Sequence, residues 1–530
     1  MKNSIKHAVI ESLRIDVQAL LQLGQKTIQQ VVDYKILTNT EFDEAFAYQA
    51  KEILRGEYIK LEELEMVLAV VGTMKAGKST TINAIAGMEI LPNRNAPMTA
   101  IPTLIKHTKG QKRPRFIFSE KASQPINQLV QDLKKAFNDK NYQPEIEHLK
   151  SDYDLYELVQ KIQRGTKVVH QALDEHRVIK ALQAINDLAR IAPLFNLEFP
   201  FEQYREINQL PVIEIEFTHL KELPENTGKL ILLDTPGPNE AGQAHLRPML
   251  QDQLKKASAV LVVMDYTQLK SEADAQVQYD LKTITNIAQD RVYALVNKFD
   301  NCDRNGMQEN DVKQFVEGLT DSLIKKNNIY PVSARFAYLA NRAKHDSLQD
   351  GSLPNIDEAA WVEDFYQEAG LRRDRDRTPE RIAEGIEDLW EDSKFSQPLK
   401  EVIEVAHDKA ALIALESALD KLANYTNQLN PVVFDKSIFL ENREAEKIIL
   451  GLKNDLTEIE NILDRKENLV NDQWRNTIKS LREKHTRIFK EYMQVLRLIR
   501  QREGLNEIQS TMALVNSSTQ ILRKRLVDMA

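Results

Sequence analysis

Residues 66–79 read MVLAVVGTMKAGKS, and the fold class follows from that stretch. Its first six residues form an almost purely apolar run, which reads as a strand buried on both faces. A glycine-bounded loop follows at once, and residues 79–86 then read as a helix ending at Gly87. Strand, loop and helix in that order are the context that marks a phosphate-binding loop. Gly72 and Gly77 permit backbone angles and a close approach that a Cβ would block. The loop and first helical turn, Gly72, Thr73, Met74, Lys75, Ala76, Gly77, Lys78, Ser79 and Thr80, are expected to wrap nucleotide phosphates. There the helix N-terminus also favours negative charge. Lys78 is expected to reach the β- and γ-phosphates and the Ser79 hydroxyl to bind Mg²⁺. The competing reading, a glycine turn before an ordinary helix, leaves the register of strand and helix unexplained.

Two more apolar runs end in polar motifs. Residues 229–233 (KLILL) deliver Asp234-Thr235-Pro236-Gly237, and residues 292–296 (VYALV) deliver Asn297-Lys298-Phe299-Asp300. Ligands bind beyond the carboxyl ends of strands in doubly wound sheets, so both motifs are expected to face the phosphate loop. Asp234 is expected to hold Mg²⁺ through a water and the Gly237 N–H to sense the γ-phosphate. A carboxylate at Asp300 can accept from the N1–H and N2–H₂ edge of guanine. Adenine offers no such pair, and a buried acceptor left without a partner costs roughly 1–3 kcal/mol. Asn297 is expected to contact the base and tie down the phosphate loop, with the Lys298 stem covering the ring. Residues 329–332 read as a further strand leading to Ser333-Ala334, which suits a loop closing over the base. The ordered set predicts an α/β P-loop domain that binds GTP and GDP with Mg²⁺ and hydrolyses GTP.

The stretch between Thr99 and Asp234 is far longer than two strands and a turn require, so a helical insertion is expected at about 120–205. Around the first switch the chain reads Leu91-Pro92, then Thr99-Ala100-Ile101-Pro102. That spacing resembles the dynamin superfamily, including its bacterial members. The stretches MVLAVVGTMKAGKSTTINAI, LPNRNAPMTAIPTLIKHT, LLDTPGPNEAGQ, MDYTQLKS, LVNKFDNCDRN and LWEDS look like its clamp-binding, fork-colocalising branch in enteric bacteria. The resemblance covers about residues 62–392. It implies that Thr99 coordinates Mg²⁺ and orders the switch on the γ-phosphate. It also implies self-association through the nucleotide domain, and a cytoplasmic protein, nucleoid- or replisome-associated, that binds the replicative sliding clamp. At Lys75 relatives carry a serine that positions a cation or an arginine that acts as a finger. Lys75 is therefore read either as neutralising charge between β- and γ-phosphates or as a solvent-facing loop lysine. The nearest candidate clamp peptide, residues 18–23 (QALLQL), lacks an aromatic anchor. It lies in the helical stripe Ile10, Leu13, Val17, Leu20, where core packing is the favoured reading. Family members carry a longer C-terminal helical region, which implies a compact or truncated version here.

Both flanks read as helix, giving an expected organisation of N-terminal helices at 1–62, the nucleotide domain at 63–345, a helical connector at 346–400 and long helices at 401–530. Apolar residues in steps of three and four (Ile449, Leu452, Leu456, Ile459, Leu463, and again from Ile478 to Ile499 and Ile508 to Leu526) predict an all-α bundle joined by the N-terminal helix. His485, on that seam, reads as a packed residue rather than a ligand. At 42 % hydrophobic and 28 % charged residues, the composition is that of an ordinary soluble protein with ample core. The longest apolar runs fall far below the roughly 20 residues that span a bilayer, so membrane contact is not expected. The N-terminal stretch carries acidic residues and no sustained apolar core, unlike a secretory signal. The single cysteine, Cys302, excludes an intrachain disulfide and a cysteine-cluster metal site. A net charge of −8 argues against broad electrostatic binding to nucleic acid, and none that is sequence-specific is expected. The basic run at 106–115 reads as a solvated hairpin.

Overall fold

The computed structural model describes residues 2–33, 44–72, 75–92, 100–165, 171–204, 209–223, 228–236, 254–269, 291–347 and 350–434. The chain divides into two compact units, residues 1–58 with 418–530 and residues 59–417. The stretch expected as a connector, 346–400, thus belongs to the same unit as the nucleotide motifs. The heptad-patterned region beyond 434, with His485, lies outside the described residues.

In the first unit, α1 (Lys2–Asp33) buries Ile10, Leu13, Val17, Leu20 and Leu21, the stripe its three-and-four spacing prescribes. α2 (Glu44–Glu62) buries Ala47, Ala50, Ile53 and Leu54 there, and the helix Ala410–Phe434 buries Leu419 and Leu422. At Gly24 an added Cβ would lie 2.5 Å from Leu422 Cδ1 and 3.3 Å from Leu54 Cδ1, so the absent side chain is what admits both leucines. The candidate clamp peptide sits inside α1. Leu20 and Leu21 are core residues and Gln18 Nε2 donates to the Tyr58 carbonyl at 3.3 Å, which favours the packing reading. One ion pair is enclosed here: Lys421 Nζ donates to Glu57 Oε1 at 2.6 Å, with side chains 0 % and 2 % exposed.

Among the described residues, the second unit carries nine strands: β1 (Glu65–Gly72), β2 (Thr103–His107), β3 (Arg115–Ile117), β4 (Gln171–Leu173), β5 (Val212–Ile215), β6 (Lys229–Asp234), β7 (Ala259–Asp265), β8 (Val292–Asn297) and β9 (Ile329–Pro331). They form one sheet in the order β4-β3-β5-β2-β6-β1-β7-β8-β9. From β6 to β9 every neighbouring pair is parallel. β1, β6 and β7 are buried along almost their whole length, which is why they read as continuous apolar runs rather than alternating ones. Antiparallel pairing enters at β2–β6, β3–β5 and β3–β4. The sheet is a mostly parallel P-loop type with a mixed edge.

The hairpin expected at 106–115 does not form. β5 lies between β2 and β3, parallel to one and antiparallel to the other, because its buried Ile213 and Ile215 belong in the sheet. The basic run is held by acids instead: Lys106 Nζ donates to Glu63 at 2.6 Å and Glu65 at 2.9 Å, and Arg115 Nε to Glu214 at 3.0 Å. Hydrogen bonds from Lys106 and Lys229 bring the Glu63 carboxyl down to about 2.

Helix α3 (Lys78–Ala86) follows the phosphate loop and ends at Gly87, whose φ of 84° makes a left-handed cap with its N–H on the Asn83 carbonyl. Between β3 and β5 stand α4 (Glu120–Phe137), α5 (Gln143–Leu149), α6 (Tyr153–Gln163) and α7 (Glu175–Ile191). Ser119, Asp152 and Asp174 cap α4, α6 and α7 with side-chain oxygens. Their apolar faces, such as Ile126, Leu133, Val159 and Leu182, join the core that covers the sheet. After β8 come α8 (Glu309–Leu319) and α9 (Ala334–Asp346).

Three histidines gather at the C-terminal end of β2. His107 lies 5.3 Å from His407 and 5.3 Å from the Phe217 ring, and the Phe217 N–H donates to its Nδ1 at 3.0 Å. Burial pushes His219 down to about 3 and His107 to about 4, with nearby His407 and Lys109 adding repulsion and Glu216 opposing it. His407 is lowered by burial as well. The unfolded chain therefore binds more protons than the folded one below the ordinary histidine range, so stability is full above it and drains as pH falls. Denaturation between about pH 7.5 and about pH 5 should show that loss in the wild type and a shallower one in His219→Leu. Equal slopes would contradict it. In the bundle, Lys421→Met takes the lysine charge away from the buried Glu57 and should cost about 3–5 kcal/mol in chemical denaturation, and the double change Glu57→Met, Lys421→Met should recover part of it.

Candidate nucleotide site

β1 ends at Gly72 under the edge of β7, where a Cβ would lie 2.4 Å from the Val263 carbonyl oxygen. The next two positions, Thr73 and Met74, lie outside the described residues. Lys75 is exposed with a φ of 65°, and Ala76 is fully buried. Gly77 turns the chain into α3 with a φ of 93°, and its carbonyl accepts the Thr81 N–H at 2.8 Å. Lys78, Ser79 and Thr80 form the half-buried first turn. The residues present fit a phosphate: two glycines stand where a Cβ has no room, and a nine-residue helix opens on the loop.

Beside this turn is a cleft whose wall includes Ser79, Asp234, Thr103 and Asn186. Asp234, the last residue of β6, is 2 % exposed. The next residue, Thr235, donates its hydroxyl to the Val70 carbonyl at 2.8 Å and fastens the β6 end to β1. Asn83 on α3 accepts from Ile90 N and Leu91 N at 3.0 Å each and donates to the Leu91 carbonyl at 2.9 Å, so it sets the path of Leu91-Pro92. The chain is described again at Ala100, whose N–H donates to Asn186 Oδ1 at 2.8 Å. Thr99 and Gly237 lie outside the described residues. A hydroxyl and one buried carboxylate at one cleft match Mg²⁺, which keeps waters and takes its other ligands from phosphate. Among the described residues no group of three or more His, Cys, Asp or Glu is arranged for a metal.

The base side is joined to the phosphate side through Asn297. Its Nδ2 donates to the Ala76 carbonyl at 2.8 Å and its Oδ1 accepts the Ala334 N–H at 2.9 Å. Ser333 caps α9, its Oγ accepting from Phe336 N at 3.3 Å. Lys298 has a φ of 62° and its Nζ hydrogen-bonds Asp265, which pairs in register with Asn297 across β7 and β8. Asp300 is exposed, its Oδ2 accepting from Asn301 at 2.9 Å, whereas the guanine argument treats it as a buried acceptor. The difference is physical: Asp300 stands in an exposed 3₁₀ turn (Phe299–Asn301) that buries none of its residues.

This is the site plan of a P-loop nucleotide-binding domain. Residues 68–298 match the model of the Dynamin family, and the domain that carries the site is a dynamin-family, GTP-binding domain. The chain is 47 % identical over 380 residues to a protein named Clamp-binding protein CrfC from Escherichia coli, covering 71 % of this chain and 51 % of that one. It is 22 % identical over 368 residues to Dynamin-like protein 1 of Campylobacter jejuni, covering 66 % and 46 %. The chain spans about half the length of the curated relatives it matches. A chain of a solved oligomerised bacterial dynamin pair aligns over 96 % of this chain and 74 % of its own, with 14 % identity and a TM-score of 0.30.

Asp265, Asn83 and Asn186 stand outside the site residues expected from the sequence. Asp265 carried a usable signal, since it ends a fully apolar strand as Asp234 does. Asn186 carried none, because its role arises where the insertion folds back on the switch. Gly77→Ala puts a Cβ 2.1 Å from Asn297 Nδ2 at a φ that alanine resists. Fluorescent GDP binding should weaken by at least about tenfold, the equivalent of about 1.4 kcal/mol. Unchanged affinity would contradict the link between the two loops.

Proposed function

We propose that this chain hydrolyses GTP to GDP and phosphate and couples that reaction to a cycle of self-association. The observation that carries the reading is Asn297, whose two amide contacts set the base loop and the phosphate loop against each other. Lys75 and Lys78 supply positive charge along the phosphates and the backbone of the first α3 turn supplies N–H donors. Ser79, Asp234 and Thr99 would hold Mg²⁺, which would supply charge neutralisation for phosphoryl transfer. Gly237 offers its N–H to the γ-phosphate, and Asp300 reads guanine with Lys298 and Ser333-Ala334 framing the ring. No general base is required of the chain, because phosphoryl transfer is governed by positioning and electrostatics.

The identity to the clamp-binding relative supports a second element: the chain works with the replicative sliding clamp, in the cytoplasm near the nucleoid, in keeping sister forks together. Among the described residues no helix is long and apolar enough to cross a membrane. Steady-state hydrolysis of GTP and ATP over a series of protein concentrations tests the reading. GTP turnover with specific activity rising with concentration, lost in Lys78→Ala, is the expected result. Slow turnover independent of concentration with GTP binding intact would favour a GTP-regulated scaffold, and a sliding-clamp pull-down then decides the partner.

A further inference from the structure

Helix α7 reaches both sides of the nucleotide unit. At its start Asp174 accepts from Arg177 N at 3.0 Å and fixes the first turn. The next residue, Glu175, takes both arms of the Arg342 guanidinium, Nη1 to Oε1 and Nη2 to Oε2 at 2.9 Å each. Arg342 belongs to α9, whose first residue Ala334 holds Asn297, and its side chain is only 11 % exposed. A bidentate, largely enclosed pair of this kind fixes orientation as well as distance. One face of α7 is then packed by Val178, Ala181, Leu182 and Ile185. Further along, Asn186 accepts the Ala100 N–H at 2.8 Å. Leu182, Ile185 and Asn186 stand in the same cleft wall as Ser79 and Asp234.

We propose that Asn186 is a positioning residue for GTP hydrolysis: its amide oxygen fixes the backbone at Ala100, beside the Ser79–Asp234 cleft. The insertion thereby holds the backbone at Ala100, directly after the first switch in sequence. Resting on the GTPase reading, the proposal adds to it a residue from outside the nucleotide motifs. A short amide on a packed helix is suited to the task, since its rotamer freedom is small and its anchor is rigid. Ala100 is the residue directly after Thr99, so any slack at Ala100 passes to the position that engages the γ-phosphate and not to the diphosphate site at Gly77 and Lys78. The two losses are therefore separable. Misplacement on the ångström scale near reacting groups costs rate far more than it costs ground-state affinity.

The test uses the full chain with Asn186→Leu, which keeps the volume and removes the acceptor, and Asn186→Gln, which keeps the carboxamide. GTP turnover at matched protein concentration, fluorescent GDP affinity and melting temperature are measured for each. The expected result for Asn186→Leu is a turnover loss of roughly tenfold with GDP affinity unchanged, a melting temperature lowered by the Ala100 N–H left without its acceptor, and partial recovery of turnover in Asn186→Gln. The proposal is overturned by Asn186→Leu turnover within about twofold of wild type, by GDP affinity falling in parallel with turnover, or by Asn186→Gln performing no better than Asn186→Leu. Wild-type chain without GTP turnover removes the GTPase reading and this proposal together. Wild-type turnover beside an unaffected Asn186→Leu removes this proposal alone.

Discussion

The carboxamide of Asn297 is the constraint on which the nucleotide unit is organised. It is 4 % exposed, its N–H end is spent on the Ala76 carbonyl and its oxygen on the Ala334 N–H. Both bonds demand that the end of β8 lie level with the loop after β1 and with the start of α9. Parallel register supplies that alignment: Gly72 pairs with Val263 and Asp265 with Asn297. Gly77 then has to be glycine on two counts, its positive φ and the nearness of Asn297 Nδ2. A single polar side chain thus fixes the distance between the loop after β1 and the loop after β8.

Energetic weight and functional weight separate here. The buried strands and the insertion helices supply most of the apolar burial, the dominant favourable term in folding. A hydrogen bond such as those of Asn297 contributes only about 1 kcal/mol net, but leaving the same groups buried without partners costs about 1–3 kcal/mol. The polar links at Thr235, Asn83, Asn297 and Lys298 are therefore minor in stability and decisive in geometry. The Glu57–Lys421 pair in the bundle follows the same logic: the cost of taking both charges out of water offsets much of their attraction.

What could be read from the sequence follows the range of the interactions. Gly72, Gly77, Lys78, Asp234 and Asn297 were legible because each lies within a few residues of the apolar strand that presents it. The buried runs of β1, β6, β7 and β8 announce a parallel sheet by their lack of alternation. The mixed edge was not legible: β5 slips between β2 and β3, and a turn rich in Gly and basic residues looks the same with or without a strand between its arms. Nor were the partners of the insertion, since Asn186 and Glu175 meet residues 86 and 167 positions away. Asp300 stands in the turn just after β8, and its exposure depends on a loop shape that spacing does not encode.

The central claim is that this pocket selects guanine nucleotide through one connected loop system. Calorimetric titration of the full chain with GDP and with ADP tests it most directly, because diphosphates report the base and the phosphate loop without turnover. GDP is expected to bind tighter than ADP by about 100-fold or more, the discrimination expected when a polar group that the bound base would cover goes unmet by the wrong base. Equal affinity for the two, or no binding of either, would contradict it.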